Sequence, residues 1–267
     1  MVKLNKQERK ILNEISSTYY MKPIIKRIND WVKNTSNVKS SWPRVFDHLY
    51  QILINSKADI EKLLDNRIKA EIIKNKDQAR RSIVGNAFSK SIIYIFLMNK
   101  VHENIPNQIS ITSQRSVIPD FYESTKIKIQ NEFQKPDMDI VIYSLDNSQT
   151  YILLSLKTSL RERATQTYKW KLLMDIALYS PRLREKYDIS YSSSKLPIIC
   201  FATTNFYNEI NSPQQRGMLK FFDRVFIAKE IDDDQSFVYP LSNLILFSIE
   251  HLVVNHVQLR LFVDTIQ

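Results

Sequence analysis

Two glycines, Gly85 and Gly217, are all that the 267 residues contain. Glycine-rich phosphate loops need clustered glycines, because only a residue without Cβ lets the backbone approach a pyrophosphate closely. A dinucleotide fingerprint, a Walker loop and a kinase glycine loop are therefore excluded, and no nucleotide cofactor is expected. The single cysteine, Cys200, allows no intrachain disulfide and no Cys-based metal site, which fits a reducing, cytoplasmic setting. His48, His102, His251 and His256 form no HExxH pattern and no tight ligand cluster.

Charge narrows the partners. Lys and Arg number 38 against 28 Asp and Glu, a net charge of +10, which favours a polyanion, nucleic acid first. The N-terminal MVKLNKQERK is charged from its third residue and has no apolar run of the secretory kind. The most apolar late stretch, 241–254, contains Glu250 and His251 and is too short to span a bilayer. A soluble protein without a membrane partner is expected.

Patterning divides the chain. Residues 1 to about 105 read as helical, with Ile60, Leu63, Leu64, Ile68 and Ile72 near a 3.6 period over 58–81 and a more continuously apolar helix over 82–101. Trp42–Pro43 predicts a break. Beyond residue 109 the period shortens. Ile127 and Ile129 alternate with Lys126, Lys128 and Gln130, and 139–143 and 150–156 continue as strands, expected to be consecutive and antiparallel. A helix over 164–179 stops before Pro181, the apolar 196–203 suits a buried central strand, 225–229 is a further strand, and 241–257 is a closing helix. A crossover helix between strands implies a parallel pair. The expected class is α/β, three layers around a central mixed sheet, with a helical N-terminal part.

The chemistry concentrates in Lys135-Pro-Asp-Met-Asp-Ile-Val-Ile-Tyr143 and in Leu153-Leu-Ser-Leu-Lys157-Thr-Ser-Leu-Arg161-Glu-Arg163. Asp137 and Asp139 share parity at the start of one strand; Ser155 and Lys157 share parity at the end of the next. A hairpin would bring a carboxylate and a lysine to one sheet face. That pair suits phosphodiester hydrolysis: a carboxylate can hold Mg²⁺, and an ammonium can stabilise the nucleophile or the charge on phosphorus.

These motifs resemble the PD-(D/E)xK nuclease superfamily, and within it type II restriction endonucleases whose sites have a CC·GG core and which carry KxxxR(D/E)R. The resemblance covers 135–166 by motif and about 80–231 by order of elements. It implies a Mg²⁺-dependent, sequence-specific endonuclease that cuts both strands of DNA at a short palindrome with G·C pairs. It also implies a homodimer in which each subunit reads one half-site. Residues 79–267 would form the endonuclease core, and 1–78 a helical region for DNA contact or dimerisation. Asp139, or Asp137, would be the metal-binding aspartate and Lys157 the catalytic lysine; Asp139 directly precedes the apolar Ile140-Val-Ile142. Arg161, Glu162 and Arg163 would read bases, arginine on guanine and glutamate on cytosine. Ser155 would replace the acid two residues before the lysine, as in this branch, where a glutamate on the following helix compensates. Trp170 and Lys171 stand where that glutamate belongs, leaving Gln166 and Asp175 to help hold metal or water. In GxxFE, the family's helix glutamate, Gly85-Asn-Ala-Phe-Ser89 ends in serine. Other readings are a repair or structure-directed nuclease, which would not need Arg-Glu-Arg; a DNA-binding protein with a degenerate core; and an adaptor whose charge is incidental.

Overall fold

The computed structural model describes residues 4–136, 138–146, 150–158, 164–193, 196–206, 210, 212–230 and 237–253, with 164–166 as backbone alone. Six helices come first: α1 (Lys6–Ser17), α2 (Met21–Lys33), α3 (Val38–Arg44), α4 (Leu49–Asn55), α5 (Lys57–Lys69) and α6 (Lys76–Val101). Their starts are local. Asn5 accepts from Glu8 N while the Glu8 carboxylate accepts from Asn5 N, a reciprocal capping box, and Asn37 and Asn75 cap α3 and α6 through their side chains. In α2, Met21, Ile24, Ile28 and Val32 recur every three or four residues and are all buried. Pro43 lies inside α3, which ends at the next residue, so the expected break falls one position later. The boundary expected at 81/82 is displaced too: the chain breaks after α5, and the Asn75 cap starts one 26-residue helix that runs through it.

The remaining order is β1 (Ile109–Thr112), α7 (Phe121–Thr125), β2 (Ile127–Ile129), β3 (Glu132–Gln134), β4 (Ile140–Ser144), β5 (Tyr151–Lys157), α8 (Ala164–Tyr179), α9 (Pro181–Tyr187), β6 (Ile189–Ser190), β7 (Ile198–Thr203), α10 (Pro213–Leu219), β8 (Arg224–Ile227), β9 (Val238–Pro240) and α11 (Asn243–Leu252). The main sheet has the order β1-β4-β5-β7-β8-β9. The pairs β1–β4 and β4–β5 are antiparallel; β5–β7, β7–β8 and β8–β9 are parallel. This is the expected mixed sheet, with α8 in the crossover between the parallel β5 and β7. One strand changes place. β2, expected as the first of three antiparallel strands, pairs with β3 and β6 in a separate small sheet, and β1 takes the position beside β4.

Alternation along the strands sends side chains to two apolar layers. Ile140, Ile142, Ile152, Leu154 and Leu156 join a cluster with α1–α6 and α11; Val141, Tyr143, Tyr151 and Leu153 join another with Trp170, Met174 and Ala177 of α8. Phe96, Phe201 and Phe226 are fully buried, each contributing about 1.5–3 kcal/mol relative to an exposed ring. Cys200 is buried in β7, and burial pushes its thiol pKa up. Among the described residues, no helix is long and apolar enough to cross a membrane.

α1 is tied to the sheet by buried charge. Lys100 of α6 donates to Glu8 Oε1 at 2.5 Å and to the Ile109 carbonyl at 2.7 Å, and Ser110 Oγ donates to the same Glu8 oxygen at 3.0 Å. Glu8 is fully buried and Lys100 almost so. The contact joins the first helix, the longest helix and an outer strand at one point, close to the cavity described next.

Candidate active site

The β4–β5 register sets the centre. Ile140 pairs with Leu154, and one step outward Asp139 N donates to the Leu154 carbonyl at 3.1 Å. The Asp139 carboxylate thus meets the end of β5. Its Oδ2 accepts from Leu156 N at 2.7 Å and from Lys157 Nζ at 3.2 Å. Two donors hold one oxygen, while Oδ1 accepts no hydrogen bond among the described residues. The lysine side chain is 13% exposed and the aspartate 37%, so the pair sits at a mouth rather than in the core.

An unexpected residue fixes the approach to Asp139. Arg115, between β1 and α7, donates to the Pro136 carbonyl at 3.1 Å and also to the Met138 carbonyl. The guanidinium fork pins the backbone immediately before the aspartate. Nothing in local spacing marked this residue, because its partners are carbonyls more than twenty positions away.

Asp139 and Lys157 line a cavity of about 890 Å³ between the strand ends and the helices α1 and α6. Across it stand Glu14, Arg81, Gly85, Ser89 and Lys90. Lys90 Nζ donates to Thr18 Oγ1 at 2.8 Å and lies 5.5 Å from the centre of the Tyr20 ring. Burial lowers the Lys90 pKa, and the charge of Glu14 opposes that shift.

The other expected residues are dispersed. Ser155 is fully buried and shares a 2.8 Å hydrogen bond with Thr167 Oγ1 of α8, so it ties strand to helix and does not line the cavity. Asp175 accepts from Lys171 at 2.7 Å, and Lys171 also reaches Asp223 at 3.4 Å. Asp223 in turn accepts from Ile199 N at 2.7 Å. Ile199 pairs with Leu153, four residues before Lys157, which puts this acidic pair about 13 Å along the sheet from the lysine. Asp175 is therefore not brought to Asp139; its lysine neighbour, one turn earlier on α8, claims it for the opposite end of the strands. Asp137, Arg161, Glu162 and Arg163 lie outside the described residues, as does the Gln166 side chain.

Among the described residues no three His, Cys, Asp or Glu side chains converge. Magnesium is nonetheless compatible with what is here. It is commonly held by one or two carboxylates, with waters and substrate phosphate completing its shell. Asp139 offers an oxygen, Oδ1, that accepts no hydrogen bond among the described residues, Ser89 a hydroxyl, and Glu14 a second carboxylate on the same cavity.

The family model described as BsaWI restriction endonuclease type 2 matches residues 108–247. The solved structure titled "Restriction endonuclease PspGI-substrate DNA complex" is similar over 92% of this chain and 92% of that one, with a TM-score of 0.47 and 16% identity. No curated protein sequence matches. The matched segment begins one residue before β1, ends within α11 and contains both Asp139 and Lys157; it spans just over half of the sequence, and the chain belongs to the BsaWI restriction endonuclease type 2 family.

Proposed function

We propose that this type II restriction endonuclease is a PD-(D/E)xK enzyme that hydrolyses both strands of duplex DNA in a Mg²⁺-dependent reaction. Its site would be a short palindrome with G·C pairs, of the CC·GG type. The observation that carries the reading is the Asp139–Lys157 pair, 3.2 Å apart at the mouth of a cavity on a chain of net charge +10. Asp139 would hold the metal through Oδ1. Bound Mg²⁺ supplies Lewis-acid polarisation of the phosphate and lowers the pKa of a coordinated water. Lys157 orients and stabilises the attacking water and offsets negative charge developing at phosphorus. The backbone amide of Leu156 keeps the carboxylate aimed while the lysine moves between aspartate and substrate.

Arg161, Glu162 and Arg163, with Gln166, would read base edges in the major groove, where arginine donates to guanine O6 and N7 and glutamate accepts from cytosine N4. A palindrome requires a two-fold homodimer, each subunit presenting one such set. Asp137 remains the alternative metal ligand.

Incubation of the purified protein with unmethylated phage DNA, with and without Mg²⁺, tests the reading on a gel. Discrete fragments that need Mg²⁺ are expected. A smear would discard site recognition by Arg-Glu-Arg. Intact DNA in every buffer, with Mg²⁺-insensitive binding, would instead identify a DNA-binding protein with a degenerate core.

A further inference from the structure

The catalytic cavity has a second wall that hydrolysis at Asp139 and Lys157 does not require. It is the α6 face carrying Arg81, Gly85, Ser89 and Lys90. Positions 81, 85 and 89 recur at four-residue spacing and so stack along one side of the helix, with Lys90 beside the last. The neighbouring arginines divide. Arg80 is occupied by Glu61 of α5 and by Asp77, whereas Arg81 lies in no ion pair among the described residues and is exposed on the cavity. Lys90 has a hydroxyl and an aromatic face as neighbours, but no carboxylate within ion-pair distance among the described residues.

Gly85 makes this face unusual. Glycine inside a helix is disfavoured relative to alanine, because it gives up more conformational freedom. No glycine of the chain has a positive φ, and a Cβ added at Gly85 would meet nothing within 4 Å. Neither backbone conformation nor packing therefore requires glycine there. Its effect is to leave the helix backbone bare toward the cavity, with Arg81 one turn before it and Ser89 one turn after.

We propose that this face of α6 is a docking wall for the DNA sugar–phosphate backbone. The strand lies against the bare helix at Gly85, while Lys90 and Arg81 hold phosphates next to the one presented to Asp139 and Lys157. The inference rests on the nuclease reading above and extends it to α6, which lies outside the family-matched segment 108–247. Contacts of this kind position a strand and carry no base information. Lys90 and Arg81 thus set the register of the scissile phosphate, and the choice of sequence is made elsewhere.

The test uses full-length protein in Ca²⁺ and two fluorescent duplexes: a phage fragment that the wild type cuts once, and an unrelated duplex of equal length. Lys90→Gln is expected to weaken both complexes by a similar factor, about five- to twentyfold, and to reduce the slope of log K against log salt by about 1, the signature of one lost phosphate contact. Lys90→Arg restores most of both. Gly85→Ala should raise the melting temperature by about 1–3 °C. Gly85→Leu should melt at or above the wild-type temperature and yet bind at least tenfold more weakly, its side chain filling the space the DNA would take. Wild-type binding by Gly85→Leu, or an unchanged salt slope for Lys90→Gln, would overturn the wall while leaving the nuclease intact. A wild type that neither binds nor cuts duplex would overturn the nuclease reading, and the wall with it.

Discussion

Lys157 Nζ stands 3.2 Å from Asp139 Oδ2, and the same oxygen is held at 2.7 Å by the Leu156 amide, so the lysine is the exchangeable partner of a carboxylate that the backbone already fixes. Removing the lysine should therefore leave the aspartate in place. Lys157→Ala is expected to reduce the single-turnover cleavage rate by at least about 10²–10³, the range seen when one electrostatic stabiliser of a transition state is removed. Binding of duplex in Ca²⁺ should stay within about threefold of wild type, because the lysine acts on charge that develops only in the transition state. Asp139→Asn should lose cleavage and also the metal dependence of binding. Chelation of divalent ions with EDTA should stop the wild type and be reversed by Mg²⁺. Residual Lys157→Ala activity near the wild-type rate would remove the lysine from the chemistry.

Base reading makes the opposite separation. Arg163→Ala should bind the cleavable duplex and an unrelated one alike, because each bidentate arginine–guanine contact contributes about 1–3 kcal/mol of discrimination. Competition binding between the two duplexes measures this directly. A variant that keeps its preference would place recognition outside the Arg-Glu-Arg tripeptide.

Arg115 acts at one remove from the reaction. By donating to the Pro136 and Met138 carbonyls it fixes the chain that delivers Asp139. Arg115→Ala should lower the single-turnover rate by about 10², since misplacement of a catalytic group by an ångström has that effect. DNA affinity in Ca²⁺ should change little, and Arg115→Lys should recover only part of the rate, because an ammonium lacks the planar fork. Equal losses in rate and affinity would assign the arginine to DNA contact instead.

The parts of this arrangement that sequence discloses are those set by neighbours along the chain. Asp139 and Lys157 were legible because each flanks an apolar strand, Ile140–Ser144 and Tyr151–Lys157, and strand parity fixes which side chains share a face. The buried β7 was legible from its uninterrupted apolar run. Partnership between strands was not: alternation identified β2 but could not say that β3 and β6 would claim it, and the four residues of β1 are too few to show a period. The position of Asp175 was not legible for a related reason. Helical spacing places it near a useful face, but Lys171 lies four residues earlier, within salt-bridge reach, and draws it to Asp223. Glu14, Arg115 and Lys90 come to the site only through tertiary packing, which no local pattern encodes.

The Glu8–Lys100 pair should be sensitive to single substitutions and tolerant of a double one. Both groups are buried, and their further hydrogen bonds run to Ser110, to the Ile109 carbonyl and, within the α1 cap, to Asn5 N. Lys100→Met leaves a carboxylate buried without its cation and should cost about 3–5 kcal/mol in urea unfolding. Glu8→Leu combined with Lys100→Met removes both charges and should recover most of that loss. Because α1 is fastened to β1 through these residues, the single variant should also weaken DNA binding if Lys90 and the α1–α6 wall contact the strand. Additive losses in the double variant would show that packing, not charge, makes the contact.

Acid should act on the surface network between α5 and α6 before it reaches this core. Glu61 accepts a hydrogen bond from Arg80 Nε at 2.5 Å and also pairs with Lys76 at 3.2 Å; the Arg80 hydrogen bond leads in lowering its pKa to about 2 from the ordinary 4.5. A carboxyl whose folded pKa is depressed contributes stability that is full above its unfolded value and fades as pH falls through the folded one. The melting-temperature gap between wild type and Glu61→Gln should therefore be constant from pH 7 to about 5.5, shrink between about 4.5 and 2, and vanish below that, provided the fold survives. Arg80→Gln should show the same pH profile, and high salt should narrow the gap at every pH, since the network is open to solvent. A gap that persists unchanged at pH 2.5 would mean that the carboxylate charge contributes nothing and that Glu61 acts through packing alone.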